Sequence, residues 1–340
     1  KIYIVILLFF LAKSLTIYNY KTVWWDSAVY IGMGKYMYSL GQAGLWENSR
    51  PIVWPLMLGF FWKIGADVLL VGRVIEIVFG GLCILLTYII GKRLFNEKIA
   101  LLSSIFLALS PTFFFFDGVM LTEIVSTFFA LVAIYLFIDK KYFLSGALIG
   151  VSFMTRFLQL IVFISVLIIF LMYKNKPKYL KKIIMGFLIA VIPFLIFNHI
   201  LYNNALLPFS EQIFLSRNSG WFNYQPISYY FTELFKENFL YLFSVLGIIL
   251  VLKRNDLNKK LIAIIFLIFS IFFNSIQQKE IRFLIVLLPY MYLFMSFSLL
   301  HFLNYLKNKF IRTLFLTVMI FSIVVSLNTN DSVKSYKGSK

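Results

Sequence analysis

The feature that most constrains this chain is a succession of apolar runs, most of them closed off by a short loop. A helix of about 20 apolar residues matches the thickness of a bilayer's hydrocarbon core. Runs of this kind cover roughly residues 1–17, 67–91, 99–116, 119–138, 143–155, 157–173, 183–201, 238–252, 261–276, 283–305 and 310–328. Between them stand five basic loops, "GKRLFNEK", "DKKY", "KNKPKYLKK", "KRNDLNKK" and "KNKFIR". Hydrophobic residues make up 61% of the chain and charged residues 14%, against roughly 25% charged in a soluble domain. The chain therefore reads as an all-α integral membrane protein, a multi-pass bundle of about 11 transmembrane helices.

A net charge of +18 would suggest a nucleic-acid partner in a soluble protein. Its placement argues against that. The five loops and Lys1 hold 18 basic residues against 3 acidic ones, whereas the rest of the chain holds 14 and 11. Loops rich in Lys and Arg stay on the cytoplasmic side. The charge is therefore a topology signal, and no nucleic acid is expected. The opening "KIYIVILLFFLA" shows no small-residue cleavage site and reads as a retained first helix. A single cysteine, Cys83, leaves no disulfide framework within the chain.

Alternation of sides then fixes the first outer loop. Residues 18–66 and the basic loop at 91–98 must lie on opposite faces, yet two apolar runs, 51–64 and 67–91, separate Arg50 from Lys92. The shorter, "PIVWPLMLGFFWKIG", carries two prolines and is too short to span comfortably. It reads as an interfacial or re-entrant helix, 52–64, inside a long outer loop, 18–66. A second large outer loop covers 202–237, with short outer turns near 117–119, 156 and 277–282. One transmembrane domain, 1–328, is expected, followed by a disordered tail, 329–340.

Ionisable residues collect on the outer side. The first loop holds Asp26, Lys35, Glu47 and Arg50 among many Trp and Tyr. The next outer turns hold Asp117 and Glu123, then Arg156. The large loop holds Glu211, Arg217, Trp221, Tyr224, Glu233, Lys236 and Glu237, and the last turn holds Lys279, Glu280 and Arg282. Charged groups at the edge of a helix bundle are functional candidates. Each also has a plainer role open to it. Asp26 could cap the amphipathic segment Ser27–Leu40. Glu47 and Arg50 could form a local pair. Arg73 and Glu76 could neutralise one another inside a span. Arg156 could snorkel, and Asp117 or Glu123 could cap a helix. Their convergence on one face is the stronger signal. His199 and His301 are isolated, and no phosphate-binding Gly-rich loop, HExxH or GxSxG motif is present.

Five stretches carry a family resemblance. They are "WDSAVYIGMGKYMYSLG", "RPIVWPLMLGFFWKIG", "GKRLFNEKIALLSSIFLALSP", "MLTEIVSTFFALVAIYLF" and "QQKEIRFLIVLLPY". In order and membrane side they resemble the GT-C superfamily of multi-pass glycosyltransferases. That superfamily includes protein mannosyltransferases, aminoarabinose transferases and dolichol-linked mannosyltransferases. The resemblance covers roughly residues 18–160 and 275–295. The last stretch is similar to the "HKEIRF" string of the dolichol-phosphate-mannose-using branch, with Gln278 in place of its His. The resemblance implies a GT-C-like bundle that moves a sugar, mannose or another hexose, with inversion. The donor would be a polyprenyl- or dolichyl-phosphate carrier, and the acceptor a hydroxyl of a glycan, lipid or protein at the outer face of the cell membrane. Asp26 matches the family's first-loop aspartate and takes the role of general base. Glu47, Asp117 and Glu123 are candidates for a second carboxylate. Arg50, Arg156, Lys279 and Arg282 are candidates to hold the donor phosphate. Two or three of these carboxylates could hold a divalent cation, Mg²⁺ or Mn²⁺. The competing reading is a transporter or flippase for the same lipid. Transporters place their sites at the bilayer midplane, whereas these charges gather at one face.

Overall fold

With no water to bond to in a bilayer, backbone N–H and C=O groups must pair within the protein. The computed structural model answers that demand with helices throughout. It describes residues 1–17, 23–172, 177–218, 224–310, 313–314 and 317. The helices are α1 (Ile2–Thr16), α2 (Trp25–Tyr38), α3 (Val53–Lys63), α4 (Val68–Leu94), α5 (Glu97–Leu109), α6 (Pro111–Phe116), α7 (Thr122–Ile138) and α8 (Tyr142–Thr155). They continue with α9 (Leu160–Met172), α10 (Pro177–Tyr202), α11 (Leu207–Asn218), α12 (Tyr229–Glu237), α13 (Leu242–Leu252), α14 (Leu257–Ser275) and α15 (Leu288–Tyr305). Single 3₁₀ segments precede α9, α13 and α15. Among the described residues no strand forms, and Tyr224 and Gln278 make an isolated antiparallel bridge.

Ten of the eleven expected spans coincide with these helices. The eleventh, 310–328, and the tail, 329–340, lie almost wholly outside the described residues. By length and composition α4, α10 and α14 are each sufficient to cross a membrane. Several others are shorter apolar helices of 10–17 residues. Two spans are interrupted. The run 99–116 breaks at Ser110, whose extended backbone (φ −63°, ψ 119°) is the conformation required before Pro111. The run 283–305 begins as 3₁₀ turns over Ile281–Val286, before α15 starts near Pro289. Helix α3 has 11 residues, about 16 Å of helix, too short to span. The segment 202–237, expected as a large loop, contains α11 and α12.

The chain divides into two compact units. One comprises Lys1–Ala12, Cys83–Phe116 and Asn223–Lys340. In it α15 packs against α5 and α13 and is buried almost all round. A Cβ on Gly247 would lie 2.2 Å from the Phe294 carbonyl, so α13 and α15 touch backbone to backbone.

The other unit comprises Lys13–Leu82 and Asp117–Phe222. Here α8 packs on α7 and α10. Gly146 of α8 and Gly186 of α10 interlock: a Cβ on either would meet the opposite helix's carbonyl at 2.1 Å. Helices cannot gain from apolar burial when lipid is the alternative, so such small-residue contacts supply the packing. Helices α2 and α3 cross in the same way at Gly34 and Gly59. Their crossing places Tyr30, Trp54 and Leu58 in one core with Val68, Met120 and Val125.

Candidate active site

The residues that matter most lie in this second unit, and the turn 117–121 organises them. Three helices hold it. Ser27 of α2 donates its hydroxyl to the Val119 carbonyl at 2.7 Å. Trp54 of α3 donates its indole N–H to the Met120 carbonyl at 3.2 Å. Glu76 of α4 accepts the backbone N–H groups of Gly118, Met120 and Leu121. Its spacing from Arg73 gave no sign of this role. Its carboxylate caps a turn whose buried N–H groups would otherwise lack acceptors. Asp117 opens that turn, fully buried, 3.9 Å from Nζ of the equally buried Lys13. Burial pushes the Asp117 carboxyl up to about 7, with Lys13 pulling it back.

Helix α2 carries Asp26 in its first turn and Tyr30 one turn later, on the same face. Asp26 makes more than a cap: its Oδ1 lies 2.9 Å from Nη2 of Arg50. The Arg50 Nε donates to Glu47 Oε1 at 3.0 Å, and Nη1 donates to the Tyr30 hydroxyl at 3.5 Å. One guanidinium thus joins two carboxylates and a phenol. Burial works against its charge, but Tyr30, Asp26 and Glu47 together raise the Arg50 pKa. The Asp26 and Arg50 side chains keep 18% and 21% of their surface exposed. Ser49 adds a hydroxyl to Glu47 Oε1 at 3.2 Å.

A second ion pair stands nearby. Glu123, in the first turn of α7, lies 3.0 Å from Nη1 of Arg156, which also donates to Thr122 Oγ1 at 3.1 Å. Arg156 sits in the extended junction after α8, and its side chain is 14% exposed. Buried Tyr30 feels both pairs. Burial raises its pKa, Arg50 and Arg156 act against that, and Asp26 and Glu123 add to it. The phenol therefore stays protonated between the two pairs.

The structure thus joins Asp26, Glu47 and Arg50 directly, and links Glu123 to Arg156. Asp117 is held by Lys13. Lys279 and Arg282 belong to the other compact unit. There Lys279 is 2% exposed, and its ammonium donates to the Ile276 and Gln225 carbonyls. Arg282 pairs with Glu280: its Nε lies 2.6 Å from Oε2 and its Nη2 donates to Oε1 at 3.2 Å. Of the remaining candidates, Lys236 pairs with Glu233 on an exposed helix face, while the Arg217 side chain and Trp221 lie outside the described residues. Glu237 is buried, accepting the hydroxyls of Thr112 and Tyr241 at 2.7 Å each. No three His, Cys, Asp or Glu side chains gather as metal ligands among the described residues. Asp26 and Glu47 converge on the Arg50 guanidinium.

The family model for dolichyl-phosphate-mannose-protein mannosyltransferases matches residues 49–202. Among solved structures, ArnT from Cupriavidus metallidurans bound to undecaprenyl phosphate is similar at 11% identity and a TM-score of 0.69. It aligns over 88% of this chain and 60% of its own. The apo oligosaccharyltransferase of Archaeoglobus fulgidus is similar at 13% identity and a TM-score of 0.69, over 98% of this chain and 56% of its own. The same organism's AglB, in complex with an inhibitory peptide and a dolichol-phosphate, is similar at 12% identity and a TM-score of 0.65, over 98% and 55%. This chain therefore spans somewhat more than half the length of these structures. No curated protein matches it by sequence.

Proposed function

We propose, on the premise that this membrane protein has the GT-C fold, that it transfers a sugar from a polyprenyl- or dolichyl-phosphate carrier to an acceptor hydroxyl. Mannose or another hexose is the candidate sugar, and the outer face of the cell membrane the candidate location. The acceptor is a hydroxyl of a glycan, a lipid or a protein. The observation that carries this reading is the Asp26–Arg50 contact at 2.9 Å in a partly open site. A carboxylate and a guanidinium side by side are what a base and a phosphate-binding cation would require.

The chemistry asks three things of the side chains. The acceptor oxygen attacks the anomeric carbon while the carbon–oxygen bond to the carrier phosphate breaks, which inverts the centre. Asp26 takes the acceptor's proton, and must reach that hydroxyl within hydrogen-bond distance. The leaving phosphate gains negative charge, which needs fixed cations. Arg50 has five N–H groups. Three serve Asp26, Glu47 and Tyr30, and two remain for phosphate oxygens. Glu47 and Tyr30 hold the guanidinium plane so that this contact needs little reorganisation. Arg156, oriented by Glu123 and Thr122, is the second cation of the same compact unit. The other two candidates for the phosphate, Lys279 and Arg282, belong to the other compact unit, where Lys279 donates to carbonyls and Arg282 pairs with Glu280. The exposed apolar faces of α3 and α10 suit an isoprenoid tail.

The test is direct. Purified protein in lipid is given tritiated mannosyl-phosphoryl-polyprenol and a membrane extract as acceptor. The reading expects label in the acceptor fraction. It also expects Arg50→Lys to weaken carrier binding, because Lys cannot copy a planar, bidentate donor. Carrier binding without any transfer would instead favour a lipid transporter.

A further inference from the structure

Charge gathers at the end of the first compact unit where α4 turns into α5 and α13 into α14, and no step above uses it. The two connections, 91–98 and 253–260, hold seven cations and two acids. Retention on one side of a membrane asks only for such an excess of Lys and Arg. It asks nothing of how those side chains are placed, and here several are fixed in place.

Aromatic rings tie the two connections together. Phe95, between α4 and α5, meets Phe297 of α15 with ring centroids 5.1 Å apart. The Lys259 ammonium stands 5.6 Å from the Phe95 centroid, and the Arg254 guanidinium 4.9 Å from the Phe297 centroid. A cation at that distance over a ring is held by the ring's quadrupole. The two acids are spent locally. Glu97 lies 4.0 Å from Lys92. Asp256 lies 2.7 Å from Lys259 and caps α14 by accepting the N–H groups of Asn258 and Lys259. Among the described residues no acid pairs with Lys98, Lys253, Arg254 or Lys260. Lys98, Lys253 and Arg254 are exposed. A guanidinium resting on a ring keeps its planar N–H edge for oxygen acceptors, two at a time.

The neighbouring helices set the depth of this patch. Helices α4 and α14, both long and apolar enough to cross a membrane, run directly into it. Leu252, the last residue of α13, is 40% exposed and adjoins Lys253. Apolar side chains open to lipid therefore give way to cations within one residue. That is the level at which hydrocarbon gives way to headgroups, and Lys and Arg there are attracted to anionic lipid.

We infer that this end of the unit is a docking surface for anionic phospholipid headgroups. Lys253 and Arg254 take the phosphate oxygens, and the Phe297 ring holds the guanidinium level. The inference does not depend on the transferase reading.

The experiment uses the full chain in detergent micelles. Native mass spectrometry measures bound phosphatidylglycerol and bound phosphatidylcholine at equal concentration. Phosphatidylglycerol is expected to bind at least fivefold more tightly. Arg254→Gln should weaken it about fivefold, the scale of one Lys or Arg at an anionic surface. The double variant Lys253→Gln, Arg254→Gln should weaken it further, and Arg254→Lys less than Arg254→Gln. Phosphatidylcholine should be unaffected in each. The control is Lys181→Gln, Lys182→Gln, which removes two exposed cations from α10 in the other compact unit. It should leave the tightest phosphatidylglycerol site intact. Equal binding of the two lipids by wild type overturns the inference, as does an equal loss in the control, which would make the preference one of net charge alone. Soluble glycerophosphoglycerol at the same concentration should not displace the lipid. Displacement would assign the patch to a dissolved anion and overturn the lipid surface. If a poly-glutamate peptide binds this patch and the two lipids do not differ, the surface belongs to an acidic protein and the inference falls. Unchanged melting temperatures in the variants confirm that the fold is kept.

Discussion

Asp26 is tolerable at a membrane face because Arg50 meets it, and Arg50 because Glu47 and Tyr30 share its charge. Part of this was legible in the sequence. Asp26, Glu47 and Arg50 fall in one stretch between apolar runs, and the Glu47–Arg50 spacing of three already suggested a pair. Tyr30 drew no notice, since one tyrosine among 20 carries no signal without its neighbours. The Lys13–Asp117 contact joins residues 104 apart, and the Glu76 cap reaches 42 to 45 residues along. No periodicity announces such contacts. Two predictions belong at this scale. Glu76→Gln keeps the shape but replaces one acceptor oxygen with an amide donor that faces backbone N–H groups. It should cost roughly 1–3 kcal/mol, the penalty of an unsatisfied buried group, read as a lower unfolding midpoint in detergent. Asp117 gives a pH dependence. Its carboxyl sits at about 7 in the folded chain and near ~4 in an unfolded one. The folded state holds that proton more tightly, so the stabilisation is complete below about pH 4 and is lost as pH rises to about 7. Between pH 5 and 8 the wild-type melting temperature should fall, and Asp117→Asn should flatten the fall. Equal slopes would count against it.

At the scale of elements, apolar length located most helices, and local stereochemistry explains where length misled. The run 99–116 looked continuous because Phe and Leu hide Pro111 in a hydropathy reading. The proline nevertheless ends α5 at Leu109. The short run at 52–64 read correctly as a helix that does not span, because its length cannot match the bilayer. Helices α11 and α12 within 202–237 went unread, since their polar composition resembles a loop. The α2–α3 crossing was invisible as well. Glycines at 34 and 59 have no meaning until the helices are brought together. Gly34→Leu is the test of that contact. Even a Cβ at residue 34 would stand 2.6 Å from the Pro55 carbonyl and 2.7 Å from the Gly59 nitrogen. The helices must separate, at about 1–3 kcal/mol for overpacking. The separation moves Asp26 and Tyr30 on α2 away from the turn 117–121. The expected result is a lower melting temperature with activity lost more steeply than stability. A melting temperature equal to wild type would contradict the crossing.

At the scale of the molecule, the charge distribution makes one strong claim. By the positive-inside rule the basic loops are expected to face the cytoplasm and residues 18–66 to face away from it. Single-cysteine variants test this without interference, because Cys83 is buried. Gln42→Cys, in the exposed stretch after α2, should react with a membrane-impermeant maleimide in intact cells. Lys141→Cys, in an exposed basic loop, should react only after permeabilisation. The reverse pattern would place Asp26 on the cytoplasmic side and remove the outer-face reading. The whole account rests finally on Asp26 acting as a base. The decisive measurement compares wild type with Asp26→Asn for transfer of tritiated mannose from its polyprenyl-phosphate carrier, with bound carrier measured in the same samples. The account predicts transfer by wild type, and a loss in the variant of 10²-fold or more, roughly the scale of general-base removal, while the carrier remains bound. Transfer by Asp26→Asn at the wild-type rate would contradict it.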